Sequence, residues 1–196
     1  MAKVGIFFGT DTGNTRRIAK DIATALGSAI AAKPVNVRNA SVTDMLAYDT
    51  LILGTPTYGE GLLPGLSTGN ATESWEEFLP ALAGQDFSGK KVAIYGLGNQ
   101  KSYPTEFVDA VFYLYEQFKH CGATIIGEWA TEGYHFKASK AVVDGRFVGL
   151  ALDQFKASKA VVDGQFVGLA LDQENQKDLT PGRLDTWLKM LAEAWD

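Results

Sequence analysis

Short apolar runs alternate with helical patterns along the chain, and this alternation limits the fold more than any other feature of the sequence. The continuous run Val4–Phe8 follows Lys3 and is typical of a strand buried on both faces. Strands that alternate with helices form a parallel sheet with helices on both sides. The sequence therefore predicts an α/β fold with a doubly wound, five-stranded parallel sheet. The five predicted strands are Val4–Phe8, Val35–Val37, Leu51–Leu53, Lys91–Tyr95 and Thr124–Trp129.

Five helices are predicted from apolar stripes or from capping signals at their first residues. The stripes cover Asn14–Leu26, Phe107–Phe118 and Leu184–Trp195. The capping signals are the pairs Ser41/Asp44 and Ser74/Glu77, and Thr180 as N-cap before Pro181. We expect the helix that follows Ser74 to run through Leu82.

A 19-residue sequence occurs twice in tandem, at 136–154 and 155–173, and the two copies differ only at Arg146 and Gln165. Two copies of so short a period are too few for a solenoid, so we interpret them as a local duplication inside one domain that spans 1–196. Each copy has two apolar stretches around an Asp-Gly turn signal, which is a hairpin pattern. We expect the second copy, through Phe166–Leu171, to fill the one strand position, and the first copy to form an extra loop or hairpin.

Composition excludes several classes of protein. The single cysteine, Cys121, permits no internal disulfide and no cysteine-based metal site. The chain has no apolar run of about 18 residues, and its first apolar run is too short for a signal peptide, so we expect a cytoplasmic protein without a membrane span. A net charge of −5 disfavours nucleic acid and favours partners with basic surfaces.

Glycine-rich loops follow predicted strands one, three and four, and ligands of doubly wound sheets bind at this edge. The first loop, Gly9–Thr15, leads into a helix N-terminus, where free N–H groups and the helix dipole favour an anion. Threonine hydroxyls and Asn14 add donors. The residues after Gly13 are not the Gly-Lys-Ser/Thr of a nucleoside-triphosphate loop, so a phosphate monoester is predicted. A polar turn capped by a threonine is the alternative.

The other two loops, Thr55–Gly61 and Gly96–Pro104, each place an aromatic residue among glycines and polar residues: Tyr58 in one and Tyr103 in the other. Together the three loops predict a planar ring bound beside a phosphate. His120 and His135 are isolated, and no general base, nucleophile or metal cluster is evident. The sequence therefore predicts no catalytic residue and no metal.

Five motifs give the chain a clear resemblance to the long-chain flavodoxins, most of all to the nitrogen-fixation type. They are the GTDTGNT loop, the TPTYGEG-LLPG segment, the ESWEEF helix start, the GLGNQ-x-x-YP loop and FVGLALDxxNQ. The resemblance covers nearly the whole chain except the extra 19 residues. It implies strand order 2-1-3-4-5 and a duplication that lies in the segment which interrupts the fifth strand of long-chain members.

The resemblance implies FMN as cofactor and assigns a role to each loop. The phosphate would be held by Thr10, Asp11, Thr12, Gly13, Asn14 and Thr15. The flavin ring would be bordered by Thr55, Pro56, Thr57, Tyr58, Gly59 and Glu60 and, on its other side, by Gly98, Asn99 and Tyr103, with Tyr103 stacked on it. The Gly59–Glu60 peptide would flip to offer the Gly59 carbonyl to the ring, which glycine permits at low cost.

The implied function is low-potential, one-electron transfer between redox proteins by a monomer that is not an enzyme. A reductase would be the donor and the nitrogenase iron protein the acceptor. Two positions depart from the family pattern: Tyr58 stands where Trp or Leu is common, and Asn99 where Asp is common. Because Asn99 removes a negative charge near the ring, we expect a less negative potential for the second electron than in an Asn99→Asp variant.

Two other functions share this fold class. An FMN-dependent NAD(P)H:quinone reductase would need a substrate pocket, and nothing in the sequence indicates one. A receiver-type signalling domain would need an acceptor Asp at the end of the third strand, where this chain has Thr55.

Overall fold

The computed structural model describes residues 3–143 and 164–195. The strands are β1 Val4–Phe8, β2 Val35–Asn36, β3 Thr50–Pro56, β4 Lys91–Leu97, β5 Thr124–Ile126, β6 Trp129–Ala130, β7 Val142–Val143, β8 Gln165–Phe166 and β9 Leu169–Leu171. The α-helices are α1 Asn14–Leu26, α2 Val42–Leu46, α3 Trp75–Phe78, α4 Ala110–His120 and α5 Thr180–Trp195.

The main sheet is parallel and has the strand order β2-β1-β3-β4-β5, so the predicted fold class and order are confirmed. The position beside β4 is shared by two segments. β5 pairs with Lys91–Ala93 at the start of β4, and β9 pairs with Tyr95–Leu97 at its end. The prediction of one strand over Thr124–Trp129 was wrong, because Gly127 adopts a φ of 81° and Trp129 belongs to β6.

Alternate residues of each central strand face opposite sides of the sheet, and each side has its own apolar core. Ile6 and Phe8 pack with Ile18 and Ile22 of α1 and with Trp187 of α5. The opposite core contains residues of the same strands together with α4: Phe7, Leu51, Leu53, Val92, Ile94, Val111, Leu114 and Phe118. Among the described helices, none combines the length and hydropathy that crossing a bilayer requires.

Helix boundaries agree with the sequence where the capping chemistry is local. α1 has the predicted bounds, and Ser41 and Asp44 form a complete capping box at α2. The helix expected to run through Leu82 becomes a 3₁₀ turn after Phe78, where Pro80 lacks the N–H that an α-helix needs.

Other boundaries also differ from the prediction, since β3 and β4 extend beyond the predicted ranges Leu51–Leu53 and Lys91–Tyr95. Val37 lies in a 3₁₀ turn and not in β2. Phe107 precedes α4, because Val108 adopts a left-handed φ of 53° that no helix continues. Thr180 is the first helical residue of α5 instead of its N-cap, and its hydroxyl accepts a hydrogen bond from Gln173 Nε2 at 2.6 Å.

Both copies of the duplicated sequence contribute to the fold. Val142 and Val143 of the first copy pair in antiparallel fashion with Phe166 and Gln165 of the second. β9 comes from the second copy, as expected. We expected the first copy to form an extra loop or hairpin, but its residues 136–143 lie within the fold, and Ala141 is completely buried. The first-copy strand Phe147–Leu152 lies outside the described residues.

Candidate functional site

A pocket of about 250 Å³ opens at the carboxyl edge of the sheet, where the three glycine-rich loops meet. A fourth segment, which follows β9, completes the wall. The lining residues are Thr12, Asn14, Thr15, Pro56, Thr57, Tyr58, Gly59, Leu97, Gly98, Asn99, Tyr103, Glu106, Gln173 and Glu174.

The first loop ends in an open helix N-terminus. Gly13 adopts a φ of 90°, and its N–H donates to Thr10 Oγ1 at 3.1 Å. Within the described ranges, the N–H groups of Asn14, Thr15 and Arg16 donate to no protein acceptor, as expected for the first turn of a helix. The turn Asn14–Arg17 contains no acidic residue, so an anion would meet free donors and the positive end of the dipole.

Arg16 adds a positive charge that the sequence analysis did not assign. Its Nη2 lies 3.5 Å from the position that a Cβ on Gly13 would occupy, so the guanidinium is close to the loop. The loop is fixed from below by Tyr95, whose buried hydroxyl donates to the Thr15 carbonyl at 3.0 Å. Arg16 is exposed, which limits its effect on a bound anion through solvent screening.

The second loop forms a tight turn over Tyr58–Leu62. Tyr58 and Leu62 exchange two backbone hydrogen bonds, at 3.0 and 2.7 Å, and the glycines at 59 and 61 have φ values of 50° and 84°. The Tyr58 hydroxyl contacts Thr12 of the first loop. Burial raises the pKa of this hydroxyl, and the Asp11 carboxylate raises it further, so the group stays protonated.

The third loop is organised by Asn99. Its Oδ1 accepts hydrogen bonds from the N–H groups of Lys101 at 3.1 Å and Ser102 at 2.9 Å, and from Asn175 Nδ2 at 2.9 Å. These three donors orient the amide so that Nδ2 faces Glu174 Oε2, 3.4 Å away. Asn99 therefore stands beside a carboxylate at the pocket.

Asp172, at the end of β9, holds the third and fourth segments together. It is fully buried, and its carboxylate accepts from the N–H groups of Gln100 at 3.1 Å, Glu174 at 3.1 Å and Asn175 at 2.9 Å. The Asn175 side-chain amide also donates to it. The duplicated sequence thus supplies a residue that positions Asn99 and Glu174.

Two tyrosine rings, Tyr58 and Tyr103, line the pocket. Tyr103 is 56% exposed, which leaves its ring available to a flat partner. Within the described ranges, no group of His, Cys, Asp and Glu could hold a metal ion. The site therefore combines an anion-binding helix end with aromatic surface and backbone amides.

Ten of the fifteen residues predicted for the site line the pocket: Thr12, Asn14, Thr15, Pro56, Thr57, Tyr58, Gly59, Gly98, Asn99 and Tyr103. The other five lie in the same loops but outside its wall: Thr10, Asp11, Gly13, Thr55 and Glu60. Thr55 is completely buried, and its hydroxyl donates to the Pro56 carbonyl at 2.9 Å.

Sequence reasoning missed Leu97, Glu106, Gln173 and Glu174. Glu174 and Gln173 belong to the FVGLALDxxNQ motif, whose position after a strand was the available signal. Leu97 lies within the GLGNQ motif but ends β4, and Glu106 lies in the segment before α4, where no motif indicates it.

Comparisons with known proteins agree with this geometry. The family model described as Flavodoxin matches residues 6–187. A flavodoxin of Klebsiella pneumoniae is 46% identical over 189 residues, 96% of each chain, and flavodoxin 1 of Escherichia coli K12 is 40% identical and aligns with 98% of this chain and 94% of its own. A Fusobacterium nucleatum flavodoxin solved with flavin mononucleotide has a TM-score of 0.80 and 31% identity, and 99% of each chain is covered. The chain is therefore a member of the flavodoxin family.

Proposed function

We propose that the chain binds FMN in this pocket and carries single electrons between redox proteins. The observation that carries the proposal is that one pocket contains both an open helix N-terminus and two tyrosine rings. A phosphate ester and a planar ring on the same ligand match these two halves. Two similar structures, the Fusobacterium nucleatum flavodoxin and its mutant, were solved with this ligand.

The residues present suit the two ends of FMN. The donors of the first loop and its helix, with Arg16 nearby, would hold the phosphate. The ring would lie between the turn Tyr58–Leu62 and the third loop, where Tyr103 offers its face. The ring supplies the one-electron chemistry when bound.

The chain's own residues set the surroundings of that ring. With the ring bound between them, Tyr58 and Tyr103 would exclude water from it, which would make an added negative charge less favourable. Glu174 places a negative charge at the pocket, beside the uncharged Asn99 amide. This edge of the pocket is therefore negative although Asn99 itself is neutral. The left-handed Gly59 lets the backbone of the turn change orientation at low cost, so its carbonyl can serve as a hydrogen-bond acceptor for the ring.

We propose a monomer that works in the cytoplasm, takes electrons from a reductase and passes them to the nitrogenase iron protein. The net charge of −5 supports docking on basic partner surfaces. The choice of acceptor rests on the five sequence motifs alone. Cross-linking to purified nitrogenase iron protein, with loss of the complex at high salt, tests that choice.

Titration of the apoprotein with FMN tests the cofactor, because stacking on a tyrosine quenches flavin fluorescence. Thr12→Val should weaken binding, since Thr12 lines the pocket, whereas Thr24→Val on the outer face of α1 should not. Potentiometry of the reconstituted protein should resolve two one-electron steps. Failure to bind FMN would contradict the proposal. If the protein rapidly catalyses the oxidation of NADPH by a quinone, this would favour the quinone reductase instead.

A further inference from the structure

Tyr95 is a completely buried tyrosine of β4 on the side of the sheet that α1 covers. Its partner in the neighbouring strand β3 is Gly54. A Cβ on Gly54 would overlap the end of the Tyr95 ring, so the missing side chain leaves the ring a path across β3. The Tyr95 hydroxyl thereby reaches the first turn of α1, which follows the first loop.

The hydroxyl donates a hydrogen bond to the Thr15 carbonyl at 3.0 Å. The direction of this bond is fixed, because a carbonyl oxygen can only accept. Burial raises the pKa of the Tyr95 hydroxyl well above its usual range, and the Asp21 carboxylate raises it further, so the donor keeps its proton. Helix geometry also offers such a carbonyl the N–H four residues later, so the Tyr95 bond adds to the helix and is not needed to form it.

The Thr15 carbonyl belongs to the same peptide group as the Arg16 N–H. Over residues 3–143 and 164–195, this N–H donates to no protein acceptor, and it is one of the free donors at the start of α1. A hydrogen bond accepted by the carbonyl polarises the peptide group, which makes its N–H a stronger donor. The Tyr95 hydroxyl therefore strengthens a donor that it does not touch.

The other end of the first loop is fixed by the same two strands. The Gly9 N–H donates to the Gly54 carbonyl at 2.9 Å, and Trp75 Nε1 donates to that carbonyl at 2.8 Å. The loop is thus bonded at its start to β3 and at its end, through Thr15, to Tyr95 of β4. Both attachments hold the loop and the first turn of α1 in a fixed position.

We propose that Tyr95 is a positioning residue for the phosphate, whose hydroxyl holds the first turn of α1 in place and strengthens the Arg16 N–H as a donor to the anion. This inference rests on the proposed function, because the anion is the phosphate of FMN. Tyr95 lies outside the pocket wall and acts through the peptide group between Thr15 and Arg16. It contributes to the preference for a phosphorylated flavin without contact with the ligand.

The first test compares FMN and riboflavin binding by the wild-type apoprotein and by Tyr95→Phe, which lacks only the hydroxyl. The measurement is made at pH 8, where the phosphate is a dianion. We expect Tyr95→Phe to bind FMN about threefold more weakly and riboflavin with unchanged affinity. An unchanged FMN affinity, or an equal loss for both ligands, would overturn the proposal. A wild type that does not bind FMN would refute the proposed function instead.

Tyr134→Phe is the matched control. Tyr134 is also a buried tyrosine whose hydroxyl donates to a backbone carbonyl, that of Ala170 at 2.6 Å, but it belongs to the opposite core. The variant should keep the wild-type ratio of the two affinities, and urea unfolding of both variants separates stability from binding. An equal loss of phosphate preference in Tyr134→Phe would overturn the proposal.

The second test needs neither a flavin nor a variant. Inorganic phosphate is added to the wild-type apoprotein, and the backbone amide resonance of Arg16 is followed by NMR. We expect this resonance to move with phosphate, because the Arg16 N–H is a donor to the anion. A resonance that does not respond to saturating phosphate would overturn the proposal, even if Tyr95→Phe does not fold.

The third test separates the Arg16 N–H from the Arg16 guanidinium. Arg16→Gln removes the guanidinium and keeps the N–H, so Tyr95→Phe should lower the FMN preference by the same factor in this background as in the wild type. Loss of the Tyr95→Phe effect in the Arg16→Gln background would show that the hydroxyl acts through the side chain, and this would overturn the proposal.

Discussion

The pocket loops and the duplicated segment differ in how firmly the sequence determines them. Each pocket loop has a sequence that occurs once and fits one local geometry, such as the left-handed Gly13 before α1. The duplicated segment offers two nearly identical sequences for one place. Among the described residues, 136–143 come from the first copy and those from 164 onward come from the second, and the two pair as β7 and β8.

The two regions take their conformation from different sources. Each loop is determined by its own residues, whereas the duplicated segment depends on which of two similar sequences takes a given place. A loop is predictable when its own residues exclude other conformations. A repeat is not predictable in this way, because Phe147 and Phe166 are followed by the same residues, Val-Gly-Leu-Ala-Leu-Asp-Gln, and the copies differ only in the residue before them. We therefore expect the pocket edge to be intolerant of small changes and the duplicated segment to tolerate a large one.

The largest effect is expected for Gly54→Ala within β3, two residues before the strand ends. A Cβ there would lie 2.1 Å from the Tyr95 ring, and the same ring supports the Thr15 carbonyl. Overpacking of this kind should destabilise the protein by about 3 kcal/mol. Urea denaturation measures the loss. Gly182→Ala, where nothing lies within 4 Å, is the control and should not destabilise.

Deletion of residues 146–164 tests the duplicated segment, because it removes 19 residues, the length of one copy. Val143 pairs with Gln165, so the deletion would leave Asp144-Gly145 as a two-residue hairpin turn between the same partners. Shortening the connection should stabilise the fold by about 2 kcal/mol. Thermal and urea unfolding measure this change. A less stable variant, or one that loses FMN binding, would show that the 19 residues are required.

Asp109→Asn changes a residue that contacts both regions. The Asp109 carboxyl lies against Gly61 of the second loop and accepts a hydrogen bond from the Lys140 N–H of the duplicated segment. Burial raises the native pKa to about 6, above the ordinary 3.8, so the folded state binds more protons than the unfolded state between these values, and stability falls as pH rises through them. Removal of the charge should therefore raise the free energy of unfolding by about 2 kcal/mol at pH 8 and have little effect at pH 4. Equal effects at the two pH values would contradict this origin.

The smallest effect concerns Asn99. In Asn99→Asp, a second carboxylate would face Glu174, so the second one-electron reduction should become less favourable by about 1 kcal/mol. Potentiometry of the FMN-loaded protein measures the change, with Asn39→Asp, at an exposed position outside the pocket wall, as the control for the added charge. An equal or less negative potential in Asn99→Asp would refute the expectation.

Features set by nearby residues were predicted well. The bounds of α1, the box at Ser41 and Asp44 and the strand order all follow from local pattern or family motif. The left-handed Val108 was not predictable, because it depends on contacts with Ser139 and Lys140 about 30 residues away in the chain. The glycine at 127 indicated a possible break in the strand. Because apolar residues lie on both sides of it, the pattern still predicted one continuous strand.

Part of the site was unpredictable for the same reason. The Glu174 carboxylate reaches Asn99 only after β9 pairs with β4, and that pairing depends on which copy of the duplicated sequence supplies the strand. The pocket residues that local motifs identified are those of the three glycine-rich loops.

The affinity of the apoprotein for FMN relative to riboflavin tests the central claim most directly, because the two ligands differ only in the phosphate. Free amides at the start of α1 predict that FMN binds about 100-fold more tightly or better. Arg16→Gln should reduce this preference slightly, and Lys20→Gln, farther along the helix, should leave it unchanged. Equal affinity for the two ligands would contradict the account.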